Sequence, residues 1–276
     1  MLIISWNVNG FRSIVRKGAL ADLISEYEPD LLFIQETKCT EYEFLKAFRE
    51  CPDYVVDNYL CHVEGCTLPG RYGVALLAKN SVAFDSNGDH LIQWFPAEDV
   101  DPKLTRYREA RLQAFVIKDI LMLNTYSVRV TNELEGLVKS ILYNEHILDL
   151  LSMWKDIGND KALLIGDLNL TPKHGDQHEG KTTMPILGMT PEEKDKFIAF
   201  FIHPDLHDTF RELHPNLIKY SYWSYRTFAR STGKGHRLDY AIATTALMKL
   251  VVESNILTYV EGSDHAPIIL ELREEW

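Results

Sequence analysis

The chain has 276 residues, of which 46% are hydrophobic and 25% charged, an ordinary composition for a globular protein with a sizeable core. Its formal net charge of -11 argues against broad attraction of the whole surface to nucleic acid or anionic membrane, although a local basic cleft is compatible with it. No apolar run reaches the roughly 18 residues that a spanning helix needs, and the first residues lack a secretion signal. We therefore expect a soluble protein with no membrane partner.

The four cysteines, Cys39, Cys51, Cys61 and Cys66, form no CxxC pair. This spacing favours a reduced intracellular protein over a disulfide scaffold. Cys61, His62 and Cys66 have the side chains of zinc ligands, but no second ligand pair follows at a zinc-site spacing. Zinc binding is therefore the weaker alternative.

Short apolar segments rich in β-branched and aromatic residues recur along the chain and predict strands. In chain order they are 2–8, 30–36, 72–78, 112–117, 120–126, 162–168, 238–244 and 266–272. Two residues separate the run at 112–117 from the run at 120–126, and this spacing predicts a hairpin. The stretches 51–71 and 81–108 lack such patterns, so we expect them to be surface insertions.

Helical patterns fall between some of the predicted strands. Thr190 and Glu193 form a capping box with Pro191 at the first helical position, which predicts a helix that starts at Pro191. The sequence shows no tandem repeat and no flexible linker, so we expect one α/β domain over residues 1–276. A further helix is predicted within 134–154, where the apolar residues at helical spacing are Leu134, Leu137, Val138, Ile141, Leu142, Leu148 and Leu151.

Polar side chains that can bind metal ions or transfer protons lie at the ends or starts of the predicted strands. Because the start of one strand lies beside the end of an antiparallel neighbour, these positions can share one rim. Taken singly, each has a structural explanation, such as a turn or an ion pair of Glu36 with Lys38. Taken together, they supply the hard oxygen ligands and neutral donors of a magnesium-dependent phosphodiesterase. The set is Asn7, Asn9, Glu36, Tyr126, Asp167, Asn169, Asp239, Asp264 and His265.

Asp264 and His265 are adjacent in the segment GSDHAPIIL, just before a predicted strand. If the segment is extended, neighbouring side chains point to opposite faces. The two residues are therefore expected to serve two different partners.

Eight motifs, in this order and across nearly the whole chain, resemble the exonuclease III family of abasic-site endonucleases. They are SWNVNGFRS, LLFIQETK, RYGVALLAK, LIGDLNLTP, HDTFR, YWSYR, RLDYAIA and GSDHAPIIL. The wider group also contains deoxyribonuclease I and inositol-phosphate phosphatases. The family fold is a four-layered α/β sandwich, so the resemblance implies two mixed β-sheets packed face to face with helices outside.

The resemblance implies a DNA-repair phosphodiesterase that cuts the backbone 5′ to abasic sites and leaves 3′-hydroxyl ends. It further implies 3′ to 5′ exonuclease activity and trimming of 3′ ends. The implied partner is double-stranded DNA with abasic or 3′-blocked lesions, bound by a monomer. Such a protein is expected in the cytoplasm at the nucleoid, or in the nucleus of a eukaryote.

By the resemblance, Glu36 binds Mg²⁺, for which Mn²⁺ is a possible substitute, and Asn7 and Asp264 complete the shell of the metal. Mg²⁺ keeps several of its waters, so few protein ligands are sufficient. The resemblance also makes Asp167 the group that orients or deprotonates the attacking water. Asn169 then binds the phosphate or holds Asp167 in place.

His265 matches the family residue that contacts the scissile phosphate, and Asp239 matches the acid that orients it. An imidazole hydrogen-bonded to a carboxylate is favoured as the cation, which would stabilise the negative charge of the transition state. Tyr126 matches the active-site tyrosine, which donates to a phosphate oxygen or, with a lowered pKa, assists proton transfer.

DNA binding by an acidic chain has to come from local positive charge and from aromatic side chains. Three residues, Tyr222, His236 and Leu238, align with the family pocket for an extruded abasic nucleotide. The other predicted DNA or phosphate contacts are Asn9, Arg129, Arg226 and Arg230. Further candidates are Arg12, Arg16, Arg71, Arg106, Arg108, Arg111, Lys234 and Arg237, with Tyr72, Trp223 and Phe228 as apolar walls unless they belong to the core.

The chain departs from the family at two of these positions. His236 stands where a Phe or Trp is common, and Arg129 occupies the usual place of an Asn. We expect phosphodiesterase chemistry to be kept, with an altered balance between abasic incision and other activities. The alternatives are a related phosphodiesterase or nuclease of different specificity, including one for phosphoinositides or sphingomyelin, and a DNA-binding protein with weak catalysis.

Overall fold

Two six-stranded β-sheets form the centre of the protein, here described from a computed structural model. The described residues are 1–66, 68, 70–88, 90–94, 109–130, 134–173, 175–178 and 190–273. Their strands are β1 (Leu2–Asn7), β2 (Leu31–Gln35), β3 (Tyr59–Glu64), β4 (Val74–Lys79), β5 (Ile92–Trp94), β6 (Leu112–Ile117), β7 (Ile120–Tyr126), β8 (Ala162–Asp167), β9 (Leu206–Asp208), β10 (Asp239–Thr244), β11 (Val251–Ile256) and β12 (Ile268–Leu272).

Both sheets are mixed, as the sequence predicts. The first has the strand order β11-β12-β1-β2-β4-β3, and β1 and β2 run parallel. The second has the order β5-β6-β7-β8-β10-β9, and β7 and β8 run parallel. Each sheet thus has a parallel pair near its middle, flanked by antiparallel neighbours, and the hairpin of β6 and β7 forms as expected.

Helices cover the outer faces of the two sheets. One apolar cluster packs the helices near the amino terminus on the first sheet, and another packs those between β7 and β9 on the second. No described helix combines the length and the apolar character needed to cross a membrane. The helices are α1 (Phe11–Arg16), α2 (Ala19–Tyr27), α3 (Glu41–Phe48), α4 (Asp53–Val56), α5 (Asn80–Ala83), α6 (Leu134–Asp156), α7 (Pro191–Phe197), α8 (Ala199–Ile202), α9 (Thr209–Leu213) and α10 (Thr245–Met248).

The central strands are buried on both faces, which explains their continuous apolar sequences. Along β2, Leu31 and Phe33 enter the core between the sheets, whereas Leu32 and Ile34 pack against the outer helices. The second sheet repeats this arrangement, since Met122 of β7 faces the inner core and its neighbours face outward. The predicted four-layered sandwich is therefore confirmed.

The helix predictions hold in outline. α7 begins at Pro191, and the reciprocal hydrogen bonds of its capping box join Thr190 and Glu193. α6 covers the predicted range, but its buried face includes Ile147 and Leu150, while Val138 is 45% exposed. The predicted apolar stripe was therefore partly wrong, because the helix turns a different set of residues towards the sheet.

The predicted insertion at 51–71 was wrong, because it contains α4 and β3. β3 pairs with β4 at the edge of the first sheet and is only half-buried along most of its length. The stretch 81–108 likewise contains β5, which pairs with β6. Edge strands carry less apolar sequence than central ones, so the pattern that reveals the central strands misses them.

Arg237 is fully buried in an ionic cluster rather than placed for DNA contact. Its Nε donates to Asp176 over 2.9 Å, and its two terminal nitrogens donate to Asp208 over 3.0 and 2.7 Å. Arg211 contributes a second cation to Asp176 at 3.1 Å. The prediction of Arg237 as a phosphate contact was therefore wrong, since both of its carboxylate partners lie inside the protein.

Replacing Arg237 with alanine should strongly destabilise the fold. Two buried carboxylates would lose their main partner, and breaking a buried ion pair in this way costs about 3–5 kcal/mol. Urea unfolding at pH 7 measures the change in the free energy of unfolding. The matched control is Arg226→Ala, an exposed arginine for which a change within about 0.5 kcal/mol is expected. Equal effects of the two substitutions would contradict the role given to the buried cluster.

Candidate active site

The two sheets each supply half of a polar site at one shared edge. Asn7 ends β1, and Glu36 directly follows β2 in the first sheet. In the second sheet, Asp167 at the end of β8 is paired with Tyr126 on one side and Asp239 on the other. The predicted rim therefore exists, with the start of β10 beside the end of β8.

Left-handed backbone conformations concentrate at this edge. Asn9, Glu36 and Asn169 have φ angles of 48°, 49° and 52°. Lys38 and Tyr72 share the conformation, with φ angles of 53° and 52°. Such a backbone is costly for residues other than glycine and turns the chain sharply where a strand ends. The strain therefore falls on the residues whose side chains build the site.

Gly166 allows Asp167 to approach the neighbouring strand. Its φ is 138°, and a Cβ at this position would lie 2.1 Å from the carbonyl oxygen of Thr125. Only glycine meets both conditions without displacing β7. The Gly-Asp sequence thus places the buried carboxylate at the junction of the sheets.

Asn7 joins the carboxylates of the two sheets. Its Nδ2 donates to Glu36 Oε1 over 3.0 Å and to Asp167 Oδ2 over 2.8 Å. Burial opposes ionisation of Glu36, but the hydrogen bond from Asn7 and the charge of Lys38 outweigh it and lower the pKa of Glu36. The Lys38 ammonium lies 3.0 Å from Glu36 Oε2. The ion pair named above as the structural explanation for Glu36 therefore forms as well.

His265 is held as a buried cation by Asp239. Its Nδ1 lies 2.8 Å from Asp239 Oδ2, which also accepts a hydrogen bond from Ser221 Oγ over 2.6 Å. Burial alone would lower the pKa of His265, but Asp239, Asp167 and a further carboxylate at Asp264 raise it to about 10. The imidazole is therefore charged at neutral pH.

The pKa of the Asp167 carboxyl lies close to neutral pH, well above its ordinary value. Burial raises its pKa to about 7, with added repulsion from Asp239 and Glu36, against the opposing charge of His265. The Nε2 of His265 lies 3.9 Å from Asp167 Oδ2. The backbone nitrogen of Asn169 donates to Asp167 Oδ1 over 2.8 Å and fixes the orientation of the carboxylate.

The donor atoms of Glu36, Asp167 and His265 lie within 4.8 Å of one another, so this part of the site offers metal-ligating chemistry. A protonated imidazole has no free lone pair, and the charged His265 is therefore not a ligand. Carboxylate oxygens are the ligands that Mg²⁺ prefers, and the ionised Glu36 fits that preference. The donor set thus fits a hard divalent cation on the side of Glu36.

Asp264 and His265 do have different partners. Asp264 Oδ1 accepts a hydrogen bond from Asn9 Nδ2 over 2.9 Å, on the side of the first sheet. Asn9 Oδ1 in turn accepts from the Lys38 ammonium, which continues to Glu36. Asp264 therefore connects with Glu36 through two intervening side chains. The segment is extended at His265, which forms a bridge with Tyr222 before β12 begins.

Arg111 orients Tyr126 rather than presenting a cation to solvent. Its guanidinium stacks on the rings of Tyr72 and Tyr126, at 4.1 and 4.8 Å from their centroids. It also donates to the carbonyl oxygens of Tyr126 and Ser127. Its side chain is 11% exposed, so the prediction of Arg111 as a DNA contact was wrong. Burial and the charges of Glu36 and Asp167 raise the pKa of Tyr126, which favours a phenol donor over a phenolate.

Tyr222 and His236 form a wall beside the site. The Tyr222 ring lies 4.8 Å from the His265 ring and 5.9 Å from the His236 ring. Leu238 is buried at 8% exposure, and its backbone nitrogen donates to Ser221 Oγ. The structure therefore brings two of the predicted pocket residues, Tyr222 and His236, next to His265, whereas the pocket role of Leu238 stays a prediction.

The predicted DNA contacts on the loop after Tyr222 divide into exposed and internal side chains. Arg226 and Phe228 are exposed. Arg230 donates to the carbonyl oxygens of Thr258, Val260 and Ser263, and it stacks on Trp223. Trp223 is 7% exposed and belongs to the core, which was the alternative to an apolar wall for DNA. Arg106 and Arg108 lie outside the described residues.

Ser221 is a site residue that the sequence did not reveal. It supports Asp239 through its hydroxyl, and that hydroxyl also accepts from the backbone nitrogens of Leu238 and Asp239. A lone serine next to aromatic residues carries no local signal for such a role. Only the fold brings it, 18 residues away in sequence, to the carboxylate.

Comparisons with known proteins agree with this geometry. A family described as Endonuclease/Exonuclease/phosphatase matches residues 4–265. DNA repair nuclease APEX1 of Danio rerio is 32% identical over 274 residues, which cover 99% of this chain and 82% of the relative. The exodeoxyribonuclease of Bacillus subtilis strain 168 is 27% identical over 272 residues, which cover 98% of each chain.

The crystal structure of AP endonuclease LMAP from Leishmania major matches with a TM-score of 0.78 at 24% identity, covering 99% of this chain and 88% of that chain. The fold and the site thus define a hydrolase built on a four-layered α/β sandwich. The chain belongs to the Endonuclease/Exonuclease/phosphatase family, and within it the chain is an exonuclease III-like hydrolase, as its motifs indicated.

In the metal-free protein, His265 should stay protonated at neutral pH and lose its proton near pH 10. Because its folded pKa lies above the unfolded value, the interaction stabilises the fold fully below that unfolded value, and the stabilisation is lost as pH rises through about 10. An NMR titration of the ring nitrogens measures this directly. Asp239→Asn should lower the pKa, and a wild-type His265 that titrates near the ordinary value of about 6.5 would contradict the assignment.

Proposed function

We propose that the protein is a Mg²⁺-dependent DNA-repair phosphodiesterase that cuts the backbone 5′ to abasic sites and leaves 3′-hydroxyl ends. Trimming of 3′ ends as a 3′ to 5′ exonuclease belongs to the same proposal. One observation carries it: Asp239 holds His265 as a cation 3.9 Å from the buried Asp167. An acid-base carboxylate next to a fixed cation suits attack of water on a phosphate.

Asp167 accepts the proton of the attacking water in this proposal. Its pKa of about 7 places a proton acceptor near the working pH, where general bases are most effective. Water attacks phosphorus in line, the bond to the 3′ oxygen breaks, and the departing oxygen ends as a hydroxyl. Asn169 keeps Asp167 oriented, because its backbone nitrogen and its side chain are both engaged beside the carboxylate.

His265 stabilises the negative charge that develops on the phosphate oxygens. Its proton is retained at neutral pH by Asp239, so the charge is present before the substrate arrives. Tyr126 donates its phenol proton to a phosphate oxygen, and Arg111 fixes its ring. The site thus combines a fixed cation and a fixed neutral donor.

Glu36 would hold Mg²⁺, with Asn7 and Asp264 completing its shell directly or through water, and Mn²⁺ is a possible substitute. When bound, the ion supplies Lewis-acid stabilisation of phosphate charge. Glu36 is ionised and Asp264 is only half-buried, so both retain carboxylate oxygens suited to a hard cation. Lys38 neutralises Glu36 through its own ammonium group in the metal-free protein.

The substrate in this proposal is double-stranded DNA with an abasic or 3′-blocked lesion, bound by a monomer at the nucleoid or in the nucleus. Support comes from the named activities of the relatives, which are DNA repair nuclease and exodeoxyribonuclease. A cleft of about 670 Å³ is bordered by Arg12, Arg16, Lys38 and Lys46 and also by Glu43 and Glu50. Glu43 pairs with Arg12, and the remaining excess of cations provides local positive charge. A phosphoinositide-specific or a non-catalytic DNA-binding protein is the competing proposal.

Asp167→Asn should abolish turnover and largely keep DNA affinity, because the amide preserves shape but cannot accept the proton. Single-turnover cleavage of an abasic duplex and a gel-shift assay with the same duplex measure the two properties. Normal turnover in this variant would refute the role of Asp167.

Glu36→Ala should weaken the dependence of the rate on Mg²⁺ concentration, since a carboxylate ligand is lost. The rate is measured across a Mg²⁺ series, with a chelator as the zero point. Wild-type protein with Mg²⁺ that leaves both an abasic duplex and a recessed 3′ end intact would defeat the proposed function. Binding to DNA without cleavage at every Mg²⁺ concentration would favour the non-catalytic alternative.

A further inference from the structure

The Lys38 side chain places a cation directly on the carboxylate that is proposed to hold Mg²⁺. Its ammonium lies 3.0 Å from Glu36 Oε2, and it also donates to Asn9 Oδ1. The other carboxylate oxygen of Glu36 accepts a hydrogen bond from Asn7 Nδ2 over 3.0 Å. Both oxygens of Glu36 therefore already have donors from the protein itself.

The backbone of Lys38 is fixed, so that motion is confined to its side chain. The backbone nitrogen of Lys38 donates to the Tyr72 carbonyl over 2.8 Å, and that of Thr37 donates to the Gly73 carbonyl over 3.0 Å. The two segments pack so closely that a Cβ at Gly73 would lie 2.2 Å from Thr37 Oγ1. The fold therefore holds the start of the lysine side chain in place beside Glu36.

The end of the Lys38 side chain has room to leave Glu36. The side chain is 29% exposed and borders the cleft of about 670 Å³, whereas the Glu36 side chain is 17% exposed. Asn9 is fixed by two further hydrogen bonds, from its backbone nitrogen to Asn7 Oδ1 over 3.1 Å and from its Nδ2 to Asp264 Oδ1 over 2.9 Å. Its Oδ1 thus stays in place as an acceptor for an ammonium that has left Glu36.

A divalent cation and the Lys38 ammonium need the same negative charge. A metal ligand has to offer a lone pair, and an oxygen that accepts from an ammonium offers less charge to a second cation. Two cations on one carboxylate also repel each other, and water screens this repulsion only in part at a side chain as buried as Glu36. Binding of one cation therefore weakens binding of the other.

We propose that Lys38 is an internal counterion that competes with the divalent cation for Glu36 and thereby sets the affinity of the site for metal. Its ammonium pairs with Glu36 before the metal binds and keeps only Asn9 as a partner afterwards. The inference rests on the metal site of the proposed function. Lys38 acts through Glu36 in this inference, so it is not a catalytic residue.

The first test measures the dissociation constant for Mn²⁺ from the electron paramagnetic resonance signal of the free ion. Lys38→Met should lower this constant about tenfold, because the competing charge is removed from a partly buried carboxylate. Glu36→Ala, measured in the same way, defines the Mn²⁺ that binds elsewhere on this acidic chain. A dissociation constant that Lys38→Met leaves unchanged or raises, in protein with a native circular dichroism spectrum, overturns the inference.

Two controls separate competition at Glu36 from other effects. Lys46→Met removes an exposed lysine from the same cleft, and among the described residues Lys46 has no ion pair with Glu36. Because solvent screens this charge, the constant should change by less than about twofold. Lys38→Arg keeps the positive charge and should stay within about threefold of wild type. An effect of either control as large as that of Lys38→Met overturns the inference.

A measurement on the wild-type protein does not depend on the folding of any variant. The nitrogen resonance of the Lys38 ammonium, assigned by its loss in Lys38→Arg, should move on addition of Mg²⁺ because the ion pair with Glu36 is given up. A resonance that stays constant at Mg²⁺ concentrations that shift the backbone amide of Glu36 overturns the inference.

The proposed function fails in a different way from this inference. Protein that binds Mn²⁺ through Glu36 and cleaves an abasic duplex, but with an affinity that does not depend on Lys38, overturns the inference alone. Protein in which Glu36→Ala leaves Mn²⁺ binding unchanged overturns both the inference and the proposed metal site.

Discussion

A hydrogen bond between two buried amides joins the sheets directly behind the site. Gln35 Nε2 donates to Asn124 Oδ1 over 2.8 Å, and it also approaches Ser5 Oγ at 2.9 Å. Asn124 Nδ2 donates to the Ala75 carbonyl and to Gln113 Oε1, both over 3.0 Å. A buried amide that loses its partners is costly, so these bonds favour the observed relative position of the sheets, even though Gln35 Oε1 itself has no partner among the described residues. Everything at the rim depends on that position, since neither sheet holds a complete site.

The charged side chains at the rim also require both sheets to be in this relative position. Glu36 comes from one sheet and Asp167 from the other, and the Asn7 amide bonds to both. Asp167 and Asp239 are almost fully buried, and their repulsion is relieved by the cation of His265. Burying two carboxylates with an imidazolium between them costs free energy of folding. The same burial shifts the pKa values of these groups, as is common in reaction sites. This balance is a physical reason for placing the chemistry where the two sheets meet.

The sequence predicts the parts of this arrangement that carry local signals. Central strands are recognisable because both of their faces are buried, as in β2, whereas the half-buried edge strand β3 is not. Asp167 and His265 are recognisable because they stand in short motifs at strand ends. Arg237 was misjudged because its partners Asp176 and Asp208 lie 61 and 29 residues away, and an isolated arginine in sequence looks exposed.

Residues of the reaction site and residues around it also differ in burial. His265 and Asp239 cannot change without leaving a buried partner uncompensated, because each is held by the other. Arg129 is exposed on the segment after β7, so a change there costs the fold little. A charged side chain at position 129 is therefore compatible with an intact Asp239 and His265 pair. His236 is half-buried and its backbone bonds to Tyr222, so position 236 is more constrained than the exposed position 129.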